Sequence, residues 1–308
     1  MSKILLSTQT GDLITDGESA RKYFPILAAS GFEAVDFGFN AVVIQENIRK
    51  KLPLRVLDLP KEEMLDYFRE IKAAADESGI VFGQTHAHYQ TLLPSDDKEY
   101  NKYLYECLLK EIEITALFSC PKIVIHPVFS GIPGAWSEEY VKELTFEVFE
   151  SLIPTLKKYN ITACLENMWY ADKGKIYGAA CSNWSTVSLW IDELNQLAGC
   201  ELFGFCFDTG HAVLTGSDPV NGITALKGKI AAVHLHDNDG LHDSHTLPFS
   251  GISNWDRIMK ALVNIGYSGA LNFEAQNAWK MFPEPLYGDA IKLLGTVGRY
   301  FIDTYFNE

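Results

Sequence analysis

Apolar runs that end in a residue able to bind a metal recur along this chain of 308 residues. In one of them, residues 231–237 read Ala-Ala-Val-His-Leu-His-Asp. Because side chains alternate along a strand, His234 and His236 would point to the same side of it. Two such imidazoles suggest a metal site, and a buried structural histidine beside an exposed one is the alternative. Five further runs have this form, at residues 80–88, 122–126, 162–166, 205–211 and 270–274.

Stretches with helical periodicity separate these runs, and the alternation predicts a parallel sheet. With residues 4–7 and 34–37 the chain has eight predicted strands. Eight strand–helix units fit an α/β fold of the (β/α)8 TIM barrel type, usually ~250 residues, with its active site at the strand ends. A doubly wound sheet is the alternative, but it would not bring six strand ends to one point. We expect residues 1–308 to form a single domain. The predicted helices include those at residues 62–78, 98–118, 138–159, 184–197, 255–265 and 286–306.

The charge balance constrains the partners of the chain. Forty acidic residues against 26 basic ones give a formal net charge of −14. A nucleic acid is repelled by such a surface unless metal ions or a basic patch compensate, and no cluster of basic and aromatic residues is present. Gly204 and Gly210 lack the spacing of a dinucleotide-binding loop. We therefore expect a small-molecule substrate and no nucleic-acid partner.

Cysteine usage and the N-terminal residues bear on the compartment. The six cysteines show no CxxC pairing, which favours reduced thiols. The N-terminal residues lack the long apolar core of a signal peptide, and no run approaches membrane-spanning length. These features predict a cytoplasmic protein without a membrane partner, and they are compatible with a homo-oligomer.

Motifs at six strand ends resemble one known family. They are Gly-Gln-Thr-His at 83–86, Ile-His-Pro at 125–127, Leu-Glu-Asn-Met at 165–168, Cys-Phe-Asp-Thr-Gly-His at 206–211, His-Leu-His-Asp-Asn at 234–238 with Asp-Ser-His-Thr-Leu-Pro at 243–248, and Asn-Phe-Glu at 272–274. Together they resemble the xylose isomerase-like TIM barrel superfamily. This superfamily includes sugar (phosphate) isomerases and epimerases, inositol-pathway enzymes and the endonuclease IV type of apurinic endonuclease. The resemblance implies a barrel and a metal more specifically than a reaction, because one fold hosts many chemistries.

The resemblance implies a divalent-metal site with oxygen and nitrogen ligands. Such a set suits Mn²⁺, Zn²⁺, Co²⁺ or Mg²⁺. The endonuclease-like branch binds three metals, and because all of its ligand positions are filled here, more than one ion per chain is expected. His234 matches that branch and His236 matches some sugar epimerases, so the ligand on strand seven stays open, as does the choice of His86 over His88. The implied ligands are Glu166, Asp208, His234 and Glu274 for one metal, His86 and His126 with Glu166 for a second, and His211, Asp243 and His245 for a third.

Structural roles are the alternative for each of these groups. Asp208 and His211 could simply cap a following helix. Glu166 and Glu274 are harder to explain in this way, because a buried carboxylate is costly unless it is paired or metal-bound. The family's Pro-x-Gly-x-Gly is Pro-Phe-Ser-Gly at 248–251 here. An aromatic residue, Phe249, thus replaces a flexible glycine, which leaves the geometry of the loop bearing Asp243 and His245 open.

The predicted reaction is metal-assisted proton transfer at a carbon next to a carbonyl, in a sugar or polyol. Glu166 and Glu274 are the predicted catalytic base and acid, so that epimerisation would use both faces of that carbon. We expect His88, His236 and Trp169 to contact the substrate. A phosphodiester hydrolase is the alternative, and a non-catalytic binding barrel is a third. The motifs contain no basic residue that would clearly bind a phosphate group, which favours an unphosphorylated substrate.

Overall fold

The computed structural model describes residues 3–43, 45–89, 97–130 and 134–307. Eight parallel strands form its central sheet, in the order β8-β1-β2-β3-β4-β5-β6-β7. The strands are β1 (Leu6–Gln9), β2 (Ala34–Gly38), β3 (Val81–His86), β4 (Lys122–Ile125), β5 (Thr162–Glu166), β6 (Phe203–Asp208), β7 (Ile230–His234) and β8 (Leu271–Phe273).

The sheet closes on itself between its two edge strands. Leu235, directly after β7, forms a parallel bridge with Phe273 of β8. Its N–H donates to Asn272 at 2.9 Å, and its carbonyl accepts from Glu274 N–H at 3.1 Å. The predicted (β/α)8 TIM barrel is therefore confirmed, and the ends of all eight strands meet around one mouth.

Helices follow the strands and cover the outside of the barrel. α5 shows the local signals, since Ser137 caps it by accepting from Tyr140 N–H, and Asn160 ends it at φ 55°. The helices are α1 (Gly17–Ala29), α2 (Gln45–Arg49), α3 (Lys61–Glu77), α4 (Lys98–Leu117), α5 (Glu138–Tyr159), α6 (Trp184–Ala198), α7 (Thr209–Leu214), α8 (Pro219–Ala225), α9 (Trp255–Asn264), α10 (Asn277–Lys280) and α11 (Tyr287–Phe301). Short 3-10 helices lie at Gly11–Leu13, Phe39–Ala41, Arg55–Asp58 and Glu284–Leu286, and a π-helix lies at Ile302–Phe306.

A two-stranded antiparallel hairpin, which the sequence pattern did not predict, follows β5 at the barrel mouth. Its strands are Trp169–Asp172 and Lys175–Gly178. The two turn residues, Lys173 and Gly174, have φ 49° and 76°. Positive φ at both positions is the requirement of the tight turn that matches strand twist in hairpins.

The first strand lies two residues later than predicted, at Leu6–Gln9 instead of residues 4–7. Its polar side chains are satisfied inside the barrel, because Ser7 Oγ donates to Asn272 Oδ1 at 2.8 Å and Thr8 Oγ1 donates to the Phe273 carbonyl at 3.0 Å. An apolar-run criterion therefore places this strand too early.

The barrel interior changes from apolar to polar along the strands. A small cluster of Val124, Cys164, Cys206 and Ala232 lies inside it. The larger core, which contains Phe37, lies between the barrel and its helices. All six cysteines are free, and burial raises the pKa of the Cys164 thiol to about 11. Within the described ranges, every helix is too short or too polar to span a lipid bilayer.

Candidate metal centre

Four side chains from four strand ends converge at the barrel mouth and form what we call the central cluster. His234 Nδ1 lies 2.9 Å from Glu166 Oε1, 3.1 Å from Glu274 Oε2 and 3.8 Å from Asp208 Oδ2. One ligand atom from each of the four lies within 4.8 Å of the others, and all four side chains are buried. The predicted combination of three carboxylates and one imidazole is thus brought together at a point.

A second group, the paired-histidine cluster, shares Glu166 with the central cluster. His86 Nε2 and His126 Nε2 each lie 3.2 Å from Glu166 Oε2. The two rings stand nearly perpendicular, with centroids 4.9 Å apart. Glu166 therefore has its two oxygens directed to different histidine sets, with Oε1 toward His234 and Oε2 toward this pair.

A third group, the loop cluster, is formed by His211 and by Asp243 and His245 from the loop after β7. Asp243 Oδ2 lies 3.4 Å from His211 Nε2 and 3.1 Å from His245 Nε2. Asp208 caps α7 by accepting from His211 N–H at 2.6 Å. The helix cap that the sequence offered as an alternative therefore coexists with a place in the clusters.

The histidines of the outer two clusters are held in one common orientation. In each ring Nδ1 lies beside a backbone carbonyl, which can only accept, so Nδ1 carries the hydrogen and Nε2 is left to face a carboxylate. A fixed second nitrogen is the usual way in which proteins orient metal-binding histidines. The pairs are His86 with the Ala87 carbonyl at 2.8 Å, His126 with Tyr89 at 3.1 Å, His211 with Asn167 at 2.8 Å and His245 with Glu274 at 2.8 Å.

His234 is oriented by a carboxylate that the sequence analysis missed. Its Nε2 lies 3.0 Å from Oδ2 of Asp36, the middle residue of β2. The same oxygen accepts from Gln84 Nε2 at 3.0 Å and from Asn272 Nδ2 at 3.1 Å. Asp36 is fully buried. Since an ionised carboxylate only accepts, Nε2–H of His234 points to Asp36 and Nδ1 is directed to the central cluster.

The structure separates the two histidines of strand seven and the two of strand three. His236 Nε2 lies 3.1 Å from Asp208 Oδ1, and its ring stacks on His245 with centroids 4.1 Å apart. A Cβ at Gly210 would come 2.0 Å from this ring, so only glycine fits there. His88 Nδ1 lies 3.0 Å from the buried Glu111 of α4. His86 and His234 therefore both contact Glu166, whereas His236 lies with His211, Asp243 and His245 at the loop cluster. His88 lies outside all three clusters.

A cavity of about 280 Å³ adjoins the three clusters. Trp169 lies in its wall and donates its indole N–H to Asp243 Oδ2 at 3.2 Å. His88 and His236, which we expected to contact substrate with Trp169, are buried and do not line this cavity. None of the described residues that line it is a lysine or arginine. The lining residues are Tyr89, His126, Phe129, Glu166, Met168, Trp169, His211, Asp243, His245 and Glu274.

Electrostatics in the clusters couple the histidines to the carboxylates. Burial acts to lower the pKa of His245, but Glu274 and Asp243 outweigh it and raise the pKa to about 9. Burial acts to raise the pKa of the Glu166 carboxyl, but the charge of His234 and the hydrogen bond from His126 hold it well below its usual value. The metal-free protein thus compensates its buried carboxylates with protons on imidazoles.

The donor set fits divalent cations. In the described part of the chain, the ion pairs of Glu166, Asp208 and Glu274 are all with histidines. Buried carboxylates need a compensating positive charge, and histidine supplies one only when protonated. Asp243 Oδ1 is moreover buried without a hydrogen-bond partner. Convergent carboxylate and imidazole groups of this kind suit Mn²⁺, Co²⁺, Zn²⁺ or Mg²⁺.

Asp237 anchors the loop that carries Asp243 and His245. Asp237 Oδ2 accepts from Phe249 N–H at 3.0 Å and from the Trp255 indole N–H at 2.9 Å. Phe249 takes φ 76° and packs against Phe301, with ring centroids 5.3 Å apart. Phe249 therefore holds a left-handed backbone, and its aromatic contact offsets part of the cost of that conformation.

Several pocket and support residues were not predicted from the sequence. Asp36 could have been identified from the sequence, because it is a lone carboxylate inside an apolar strand. The same criterion identified Glu166. Gln9, at the end of β1, donates its Nε2 to Glu274 Oε1 at 2.5 Å. Tyr89 stacks on His126, and its burial raises the pKa of its phenol. The sequence contains no comparable signal for Gln9, because a glutamine in a strand is ordinary.

Comparison with known proteins addresses the family. The family model of the xylose isomerase-like TIM barrel matches residues 26–297. The chain belongs to this family. The predicted resemblance is thereby confirmed.

Curated relatives of this xylose isomerase-like protein match parts of it. An uncharacterized protein of Sinorhizobium fredii is 26% identical over 174 residues, which cover 55% of this chain and 51% of that protein. The chain therefore spans about half the length of this relative. An uncharacterized protein of Methanocaldococcus jannaschii is 29% identical over 220 residues, 69% of each chain. Inosose dehydratase of Lacticaseibacillus casei is 28% identical over 103 residues, 28% of this chain and 35% of that enzyme.

Solved structures share the fold of this xylose isomerase-like protein over nearly its whole length. A D-tagatose 3-epimerase-like protein superposes with a TM-score of 0.70 at 19% identity and covers 98% of both chains. D-allulose 3-epimerase from Methylomonas sp., in complex with D-allulose, gives 0.69 at 14% identity and covers 99% of this chain and 98% of its own. At these identities the likeness is one of fold.

Proposed function

We propose that this protein is a divalent-metal-dependent isomerase or epimerase that moves a proton at a carbon next to a carbonyl of a sugar or polyol. The observation that carries the proposal is the placement of Glu166 and Glu274. Both carboxylates line the cavity, and they flank a single imidazole nitrogen, His234 Nδ1, at 2.9 and 3.1 Å.

The proposed ligands of the central ion are Glu166, Asp208, His234 and Glu274. When bound, the ion would supply positive charge that stabilises the oxyanion developing on the substrate as its neighbouring carbon is deprotonated. The ligand set of the paired-histidine and loop clusters supports further ions, so we propose more than one per chain. Asp36 acts as a positioning residue for His234 through its 3.0 Å contact with Nε2.

The protein's own groups would handle the proton. Glu166 is ionised in the metal-free centre because its pKa lies well below its usual value, so it starts as a base. The pKa of Glu274 is also lowered, since the charges of His234 and His245 outweigh the effect of burial. Gln9 holds Glu274 Oε1 through its amide N–H. Epimerisation also requires a proton on the other face of the carbon, and Glu274, in the same cavity, would take that proton up from water before delivering it.

The cavity supports an uncharged polyhydroxylated substrate. Its described lining contains carboxylates, imidazoles, aromatic rings and a methionine, and it contains no lysine or arginine for a phosphate. Similarity to proteins named D-tagatose 3-epimerase-like, D-allulose 3-epimerase and inosose dehydratase favours ketoses and inososes as test substrates. Trp169 would contact such a substrate from the cavity wall.

Turnover by matched variants tests the proposal. The Mn²⁺- or Co²⁺-loaded protein is incubated with a panel of ketoses and inososes, and the products are separated by chromatography. We expect one or more epimer or isomer pairs to interconvert. Glu166→Gln and Glu274→Gln should each lower the rate about 100-fold or more while the circular dichroism spectrum is unchanged, because each variant removes a general acid or base. Glu111→Gln, which changes a buried carboxylate outside the clusters, serves as the control. Full activity in metal-free wild type would refute the proposal.

A phosphodiester hydrolase is the second candidate, and the three clusters together favour it. The paired-histidine and loop clusters provide more metal ligands than proton transfer at one ion requires. Against it, the formal net charge is −14 and the described cavity lining carries no basic side chain to bind a phosphate backbone. Cleavage of abasic-site DNA at physiological salt would favour this candidate over the isomerase.

A further inference from the structure

A second cavity lies between the loops that follow β4 and β5. It is next to the cavity that adjoins the three clusters, which we call the catalytic cavity. Its volume is about 260 Å³, close to the 280 Å³ of the catalytic cavity. Phe129 lines both cavities. The hairpin connects them as well, because Trp169 faces the catalytic cavity and the next residue, Tyr170, lines the second one. The two spaces are therefore neighbours with a shared wall.

The sizes of the two cavities indicate one ring in each. One water molecule needs roughly 10–15 Å³ of such volume, so each cavity has room for a ligand group much larger than water, such as a single sugar ring. A free monosaccharide in the catalytic cavity would leave the second cavity without a ligand group. A substrate with two linked rings would use both.

The walls of the second cavity define the chemistry of the ring that it accepts. Trp136 and Tyr170 are half-buried and contribute aromatic surface, and Val187 and Trp190 are buried lining residues. Glu138 is the one charged residue among the described lining residues, and it is exposed. Aromatic faces next to neutral groups bind uncharged rings by stacking and exclude a phosphate, which needs cationic or N–H donors.

We propose that the second cavity binds an uncharged second ring of a glycoside whose reacting sugar occupies the catalytic cavity. The identity of the reacting sugar rests on the proposed isomerase function. A glycoside cannot open its ring, so its carbonyl would lie on a ring carbon rather than at the free end of an open chain. The second ring is either a sugar or an aromatic aglycone, and both would use the same aromatic walls.

Calorimetric binding to the Mn²⁺-loaded protein tests this proposal without turnover. The probes are pairs of methyl and phenyl D-hexopyranosides in both anomeric forms, together with gluco- and galacto-configured disaccharides. We expect at least one phenyl glycoside or disaccharide to bind about tenfold more tightly than its methyl partner. A phenyl preference indicates an aromatic aglycone, and a disaccharide preference indicates a second sugar.

Substitutions in the second cavity test whether it causes the tighter binding of the two-ring probes. Trp136→Ala and Tyr170→Ala should each reduce the preference to about twofold or less, while methyl glycosides bind as before. Tyr170→Phe, which keeps the ring face, should retain it, as should Leu189→Ala, which changes a residue of α6 that is 66% exposed and outside the cavity.

Three results would overturn the proposal: no binding by any two-ring probe, equal affinity within every pair, or a preference that persists in both alanine variants. Because the readout is affinity, these failures are distinguishable from failure of the isomerase proposal, which is measured by turnover.

Discussion

Replacing Asp36 with asparagine is expected to weaken metal binding, although this residue is not itself a ligand of any cluster. Asp36 Oδ2 accepts three hydrogen bonds, from Gln84, His234 and Asn272, at 3.0 to 3.1 Å. It keeps the hydrogen of His234 on Nε2 and so leaves Nδ1 for the ion. An asparagine side chain has no charge to hold that proton, and Nδ1 can then donate to Glu166 Oε1, 2.9 Å away.

The expected magnitude follows from the hydrogen bonds that change. Removing the charge converts a charge-assisted bond, contributing roughly 1.5–3 kcal/mol, into a neutral one of about 0.5–1.5 kcal/mol. Residues that orient a metal-binding histidine typically contribute 10- to 100-fold in affinity, which corresponds to roughly 1.4–2.8 kcal/mol. The amide can still fill the space and accept from Gln84 and Asn272, so the fold should persist.

Competition with a fluorescent chelator at neutral pH measures the effect. Asp36→Asn should lower the affinity for Mn²⁺ or Zn²⁺ about 10- to 100-fold. Glu111→Gln is the matched control, because it also neutralises a buried carboxylate next to a histidine, His88, outside the clusters. It should leave metal affinity within about twofold.

Two results would refute this reasoning. If Asp36→Asn binds metal as tightly as the wild type, the orientation of His234 does not depend on Asp36. If Glu111→Gln weakens metal binding as much as Asp36→Asn does, the effect reflects general loosening of the barrel.

Three further predictions concern the outer clusters and the loop after β7. Elemental analysis should find more than one metal ion per chain in the wild type and fewer in His126→Ala and His245→Ala. A single ion in the wild type and in both variants would mean that these histidines have structural or substrate-binding roles instead. The pKa of His245 in the metal-free fold is about 9 against an ordinary 6.5, so its charge stabilises that fold fully below about pH 6.5 and the contribution is lost as the pH rises through about 9. Urea unfolding of chelated protein should show this loss, and increasing stability over that window would contradict it. Phe249→Gly should be about 1 kcal/mol more stable than Phe249→Ala, because only alanine keeps the penalty of φ 76°, and the reverse order in urea unfolding would count against a strained backbone.

The barrel was predictable because its signal is repeated. Each unit combines a short apolar run with a periodic helix, so an error in one unit does not change the topology. α5 was predicted at its observed bounds, Glu138–Tyr159, because Ser137 and Asn160 are strong end signals. The hairpin at residues 169–178 was missed, since each strand has only four residues, too few to give a two-residue alternation, and none of them is fully buried.

The candidate site was predictable where a carboxylate or histidine able to bind a metal ends an apolar run. Glu166, Asp208, His234 and Glu274 were expected to converge, and the structure brings them together. Which histidine of strand seven lies in the central cluster was not predictable, because His234 and His236 share one side of the strand and only tertiary contacts distinguish them. His234 contacts Asp36 and Glu166, whereas His236 contacts Asp208.

The second cavity could not be predicted from the sequence. It is formed by residues from two loops and two helices, and none of them has a pattern that separates a ligand-binding aromatic residue from a packing one. Trp136 and Trp190 differ only in burial, which depends on the tertiary fold.

Hydrogen exchange at the substrate tests the central claim most directly. The metal-loaded protein is incubated in deuterated water with ketoses and inososes, and the products are examined by NMR and mass spectrometry. We predict deuterium at a carbon adjacent to the carbonyl of at least one sugar or inosose, none with Glu166→Gln, and no cleavage of abasic-site DNA. DNA strand cleavage at physiological salt, with no deuterium in any compound of the panel, would contradict the isomerase account and assign the clusters to phosphodiester hydrolysis.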